Sequence, residues 1–185
     1  MKKLTALLMA LIIMATLTVP ASAACQTPGC VKKAAQTAMD ENGTDLCLVI
    51  KLDKGCSGKG MAYMMYRKNG KAHCDRSGQI IVGKNSKVRK NFHYFVNRNR
   101  DFEKDVTSWK KSGIQYRTRW NTIVECAEDS DFNLMIHSYI EYKYSGKAWA
   151  TCKGVSKNVD GIAMCKEFAH YLRSMLDPDT PVVFL

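Results

Sequence analysis

The chain has little that would hold it in a membrane or divide it into parts. After Val19 no apolar run approaches the roughly 20 residues that a spanning helix needs, which excludes a membrane-spanning segment once the first residues are removed. No Pro-, Gly- or Ser-rich linker and no internal repeat interrupts it, so two domains are not expected. It also lacks a Walker lysine motif, a Gly-x-Ser-x-Gly elbow and a His-Glu-x-x-His zinc helix, and its one glycine-rich segment, Lys54 to Gly60, precedes no helical pattern. These absences remove the usual signatures of phosphate-loop, serine-hydrolase and zinc-protease chemistry, and no cofactor is expected. Zinc sites repeat close cysteine or histidine pairs. Here only Cys25 and Cys30 are so spaced, and no metal is expected either.

Acids are scarce as well, 17 against 28 lysines and arginines. The excess is localised. Residues 84–119 carry eleven basic and three acidic side chains, whereas residues 120–185 carry six and nine. A concentrated positive field raises the local concentration of anionic partners, but charge alone does not choose among lipopolysaccharide, acidic glycans, nucleic acid and an acidic protein.

Residues 1–23 run from Lys2 and Lys3 through an apolar core to Ala21-Ser22-Ala23, the layout of a secretory signal peptide cut before Ala24. The expectation is export by a bacterium to the periplasm or beyond, with residues 24–185 forming a single disulfide-rich α+β domain. All eight cysteines, Cys25, Cys30, Cys47, Cys56, Cys74, Cys126, Cys152 and Cys165, lie past the cut. An even count in an exported chain predicts a disulfide framework, with 105 connectivities open. His73 beside Cys74 suggests no nucleophilic pair, because neighbours on a strand point apart.

Apolar spacing predicts a short first helix from Thr27-Pro28 to Asn42-Gly43, a strand over residues 45–52, and two strands about an Asn69-Gly70 hairpin. From Ser86 to Lys110, residues Val88, Phe92, Phe95, Asn99, Phe102, Val106 and Trp109 recur at helical spacing, with Asn99 the one polar interruption. Lys90, His93, Asn97, Arg100 and Lys104 would then form a basic stripe opposite them. Alternation resumes over residues 114–126 and 132–144. Pairing them across the acidic loop so that partner numbers sum to 258 brings both apolar faces together, with Arg117 opposite Glu141 and Asn121 opposite His137. A strand over residues 146–152, an amphipathic helix over residues 160–176 and a final PVVFL, expected as an edge strand or a loose end, complete the pattern. The order argues for an antiparallel sheet with helices on one face.

Two surfaces offer themselves for function. The Lys90/His93/Asn97/Arg100/Lys104 stripe suits a non-enzymatic binding or accessory protein whose partner is an anionic envelope component or an acidic protein surface. The sheet face with Arg117, Arg119, Glu125, His137 and Glu141 would gather a base, an acid and phosphate-binding arginines. That layout is similar in kind to small secreted microbial ribonucleases, and it sets the alternative of a metal-independent ribonuclease-like toxin. Only under that alternative is nucleic acid a partner. A part in an envelope secretion or conjugation assembly is the third expectation.

Overall fold

The computed structural model describes residues 27–53, 58–83, 86–89, 91–97, 106–151 and 161–185. The expected signal peptide lies outside them. Among the described residues two helices, α1 (Gly29–Asn42) and α2 (Lys166–Met175), accompany twelve strands. The strands are β1 (Leu46–Leu52), β2 (Gly58–Lys68), β3 (Lys71–Val82), β4 (Tyr94–Val96), β5 (Val106–Lys111) and β6 (Ile114–Arg119). Then follow β7 (Thr122–Cys126), β8 (Asp129–Ser138), β9 (Glu141–Lys143), β10 (Ala150–Thr151), β11 (Ile162–Met164) and β12 (Pro181–Phe184).

The expected α+β layout, an antiparallel sheet with helices on one face, is overturned. Eight strands close into a barrel in the order β1-β12-β4-β7-β8-β11-β3-β2, and β10-β9-β6-β5 form a separate four-stranded sheet. Two barrel contacts, β1 with β12 and β8 with β11, are parallel. Closure removes the sheet edges that a flat antiparallel sheet would leave. The C-terminal PVVFL is therefore not an edge. It is the stave between β1 and β4, with Val182 paired to Leu48 on one side and to Tyr94 on the other.

Strand β1 shows why its sequence, LCLVIKL, is apolar at successive positions. Leu48 and Ile50 point into the barrel core with Met64, Ile80, Val124, Leu134, Ile136 and Ile162. Cys47 and Val49 point outward into a second core beneath α1, against Val31, Ala35 and Met39. A strand buried on both faces needs no polar alternation. The hairpin at Asn69 and Gly70 is present, both with positive φ as a type I′ turn requires.

The helix expected over Ser86 to Lys110 is absent from the residues described there. Lys87 and Asn91 have φ of 49° and 66°, a left-handed backbone that no right-handed helix accepts, and Tyr94 and Val96 are buried in alternation along β4. Lys90, Arg100 and Lys104 lie outside the described residues.

The disulfide framework is overturned too. The described cysteines are Cys30, Cys47, Cys74, Cys126 and Cys165, and none is paired with another. Cys47 sits under α1, Cys126 lies in the barrel core, and Cys30 and Cys165 are exposed at the starts of different helices. Cys74 packs against the same core as Cys47, but Met65 of β2 stands between them and pairs with both. Their backbones are thus two strand spacings, roughly 10 Å, apart, where a disulfide needs Cα atoms roughly 4.4–6.8 Å apart. Burying each large aliphatic side chain contributes roughly 1.5–3 kcal/mol, so the two cores supply stability with no disulfide between the described cysteines. Cys25, Cys56 and Cys152 lie outside the described residues.

Candidate functional site

The site is set by β8 and its parallel neighbour β11. Leu134 and Ile136 of β8 enter the core, so His137 faces away from it. The imidazole is nevertheless 1% exposed. Its Nδ1 lies 2.7 Å from the main-chain oxygen of Ser138. A carbonyl only accepts, so Nδ1 carries the proton in this bond and the neutral ring keeps its lone pair on Nε2. Nε2 lies against Gly161, where an added Cβ would come within 3.0 Å of it and φ is +119°. Glycine at that position makes room for the ring.

The β8/β11 register pairs His137 with Ala163 and Ser138 with Met164. Tyr139 N–H donates to the Met164 carbonyl at 2.7 Å and carries the pairing one step further. Cys165 follows at once. It is exposed and caps the N-terminus of α2, its carbonyl accepting from Ala169 N–H at 3.0 Å. Ala163 faces the same side as His137, and Cys165 stands two residues beyond it, roughly 8 Å from His137 backbone to backbone by ordinary strand spacings. Burial, and then the neighbouring Cys165 sulfur, push the Tyr139 hydroxyl above its ordinary value. A thiol, an oriented imidazole and a phenol thus share one end of the barrel.

The four-stranded sheet adjoins this end. Arg119 N–H donates to Ser138 Oγ at 2.9 Å. Its guanidinium reaches Glu141 Oε2 at 3.0 Å, and Arg117 Nε bonds the same oxygen. Burial works against the Glu141 charge, but the hydrogen bonds from Arg119 and Arg117 outweigh it and hold the carboxyl below its ordinary range.

The single solvated catalytic face expected from strand alternation is therefore present only in part: Arg117 does oppose Glu141, and Arg119 joins them. His137 is covered rather than solvated. Glu125 is exposed and accepts from Asn97 Nδ2, a partner on the far side of β7 from β8. Of the expected basic stripe, His93 is exposed and paired with Glu128, whereas Asn97 is 6% exposed. Among the described residues no three His, Cys, Asp or Glu side chains converge as metal ligands, and no helix is long and apolar enough to cross a membrane.

Sequence reasoning missed Cys165 and Ser138. Counting Cys165 into a disulfide hid it, and searching for a histidine adjacent in sequence overlooked one on a neighbouring strand. The legible signal was His137-Ser138 ending an alternating strand, with Gly161 and Cys165 immediately before a helix.

No protein-family model matches the chain, and no curated protein matches it significantly. Solved structures do resemble its fold. One, from Clostridium acetobutylicum ATCC 824, is described as a fused Zn-dependent amidase/peptidase/peptidoglycan-binding domain-containing protein; its TM-score is 0.50 at 13% identity, over 84% of this chain and 60% of that one. An L,D-transpeptidase from Mycobacterium smegmatis gives 0.42 at 13% identity, over 76% and 58%. One from Enterococcus faecium gives 0.40 at 18%, over 76% and 50%. The chain spans less than two thirds of each. The likeness to the first is one of fold. The zinc in that protein's description finds no set of three ligands among the residues described here.

Proposed function

We propose that the chain is an exported envelope protein, periplasmic or secreted, that transfers or hydrolyses an acyl group of an envelope peptide through Cys165. The observation that carries this reading is the parallel register of β8 and β11, which gives His137 and Cys165 one face of the sheet, with the His137 Nδ1–Ser138 O hydrogen bond making Nε2 the basic nitrogen of the ring. The structural neighbour from Clostridium, named for amidase, peptidase and peptidoglycan-binding parts, supports the choice of substrate class.

In the proposed step the Cys165 thiol gives its proton to His137 Nε2 while sulfur attacks the amide carbonyl carbon. The amine leaves with that proton, and the thioester passes to water or to a second amine, which regenerates the thiol. Reaching sulfur requires the imidazole to turn from Gly161 and the thiol to close the diagonal between the two strands. The N-terminal amides of α2 face charge developing beside Cys165.

The test is mass spectrometry of the purified protein incubated with a peptidoglycan-derived disaccharide peptide and an amine acceptor. An acyl adduct on Cys165, absent from Cys165→Ala and formed at least about 100-fold more slowly by His137→Gln, supports the reading. No adduct, or one that persists in Cys165→Ala, removes it.

A non-enzymatic accessory protein for an anionic envelope component is the second reading, favoured by the eleven basic residues of the 84–119 stretch. Ribonuclease chemistry has less support, since Glu141 is held by two arginines and Glu125 by Asn97.

A further inference from the structure

The outer four-stranded sheet ends in a strand with one open side. Strand β5 stands last in the order β10-β9-β6-β5 and is bonded to β6 alone among the described residues. All six of its residues are exposed, Trp109 to 40%. Its hairpin with β6 closes on Lys111 and Ile114 about two residues, Ser112 and Gly113, both with positive φ. In a hairpin of this length the closing pair exchanges both main-chain hydrogen bonds, and bonded pairs alternate from there. Lys111, Trp109 and Thr107 therefore bond inward to β6. The N–H and C=O groups of Lys110 and Ser108 point outward from the open edge.

An exposed edge is a template for a further strand, and charge decides which strand it accepts. Residues 106–119, the whole hairpin, hold Lys110, Lys111, Arg117 and Arg119 and no acid. Glu141 takes up the two arginines, whereas Lys110 and Lys111 form no ion pair with a described residue. A second copy of this chain would bring the same lysines and the same formal net charge of +11 to the edge, and like charges oppose that pairing. An acidic strand meets attraction instead. Strand alternation sends Trp109 and Lys111 to the face that holds Tyr116, and Ser108 and Lys110 to the face that holds Arg117. A ligand lying on either face meets only half of these groups. An extended peptide at the edge projects its own side chains alternately to both faces and reaches them all.

We propose that the β5 edge binds an extended acidic segment of a protein partner by taking it up as an additional antiparallel strand. Antiparallel pairing is the more stable sense per residue. It sets two consecutive acids of the segment opposite Lys111 and Lys110, followed toward the segment's C-terminus by an apolar residue opposite Trp109. The main-chain bonds are made with Lys110 and Ser108. This surface goes beyond the acyl-transfer reading and uses neither Cys165 nor His137.

The experiment titrates the purified protein into a fluorescein-labelled peptide, TEEFTVT, and follows anisotropy, with sedimentation velocity of the protein alone beside it. Expected is binding at least about tenfold tighter than that of TKKFTVT or of single-stranded DNA, and weakened by salt. N-methylation of every second peptide residue should abolish binding in one phase and spare it in the other, because only alternate amides face β5. Ser108→Pro removes an outward N–H, leaves the bonds to β6 in place and should weaken binding about tenfold. Lys110→Glu combined with Lys111→Glu should reverse the preference, so that TKKFTVT binds the tighter; this exchange of exposed charges tests the edge even where the proline variant fails to fold. Cys165→Ala should bind TEEFTVT as the wild type does, so that failure of the thiol chemistry and failure of the edge are read separately. No binding of TEEFTVT, equal binding of TKKFTVT or DNA, tolerance of N-methylation in both phases, no reversal in the double variant, dependence on Cys165, or a dimer of the protein alone that Ser108→Pro dissociates would each overturn the proposal.

Discussion

Phe168, in the first turn of α2, lies over Gly78 of β3 so closely that a Cβ at Gly78 would come 2.5 Å from Cδ1 of the ring. The same helix begins at Cys165, and Phe168, Ala169 and Leu172 bury its inner face in the barrel core. A backbone contact on β3 therefore sets where the thiol stands. Gly78→Ala is expected to destabilise the protein by about 1–3 kcal/mol, the usual cost of overpacking, and to alter the alkylation rate of Cys165 as α2 is pushed outward. Chemical denaturation checks the first effect and timed alkylation the second. An unchanged midpoint would mean that the ring swings aside at no cost.

Where the sequence was legible, one physical signal dominated the local choice. Asn69-Gly70 marked the hairpin because only such residues accept two positive φ values in succession. The expected register of β7 and β8, with partner numbers summing to 258, is present from Thr122/Ile136 to Glu125/Asn133, because a one-residue slip would turn Val124 and Leu134 out of the core. It shifts at Cys126, which a bulge pairs with Asp129 instead of Phe132.

Where the sequence misled, long-range contacts decided. Helical spacing of the aromatics between Ser86 and Lys110 coexists with the period-two burial of Tyr94 and Val96, and pairing with β7 and β12 selects the strand. The helix expected from residue 160 loses its first turn to β11, because β3 and β8 leave a gap in the barrel that Ile162–Met164 fills. A closed barrel with two parallel contacts has no local signature, and neither does the proximity of His137 and Cys165, which depends on one of those contacts.

The cysteines give a direct check on the corrected framework. In native protein without reductant, Cys30 and Cys165 should alkylate readily because both are exposed. Cys47 should react only after unfolding, since burial pushes its thiol up to about 12. Peptide mapping after native and denaturing alkylation distinguishes the sites. Failure of Cys30 and Cys165 to label in the native state would contradict the unpaired arrangement.

Glu141 joins two strands of the outer sheet through a single oxygen that accepts from both Arg117 and Arg119. Glu141→Gln leaves two guanidinium groups side by side without their acid. The three side chains are about one-fifth exposed, so the expected loss is about 1–2 kcal/mol, below that of a fully buried charged network. Adding Arg117→Leu should recover part of it by removing the repulsion. Denaturation midpoints of the three proteins test this. Equal midpoints for wild type and Glu141→Gln would show that the pairs contribute nothing.

The pair His93 and Glu128 ties the segment before β4 to the turn after β7 and predicts an acid-dependent stability. Glu128 accepts from the His93 side chain and from His93 N–H, the latter at 2.9 Å, and these bonds, the side chain first, hold its carboxyl at about 2. A folded value below the ordinary one of 4.5 means that the unfolded chain takes up the proton first as pH falls. The carboxylate's contribution is therefore complete above about 4.5 and is lost progressively as pH falls through about 2. Glu128→Gln should lower the thermal midpoint most near neutral pH, and its offset from wild type should shrink steadily below pH 4.5 and vanish near pH 2. Differential scanning calorimetry of both proteins across that range is the measurement. An offset that stays constant down to the lowest pH would mean that packing at the turn, and not the charged hydrogen bonds, is what Glu128 supplies.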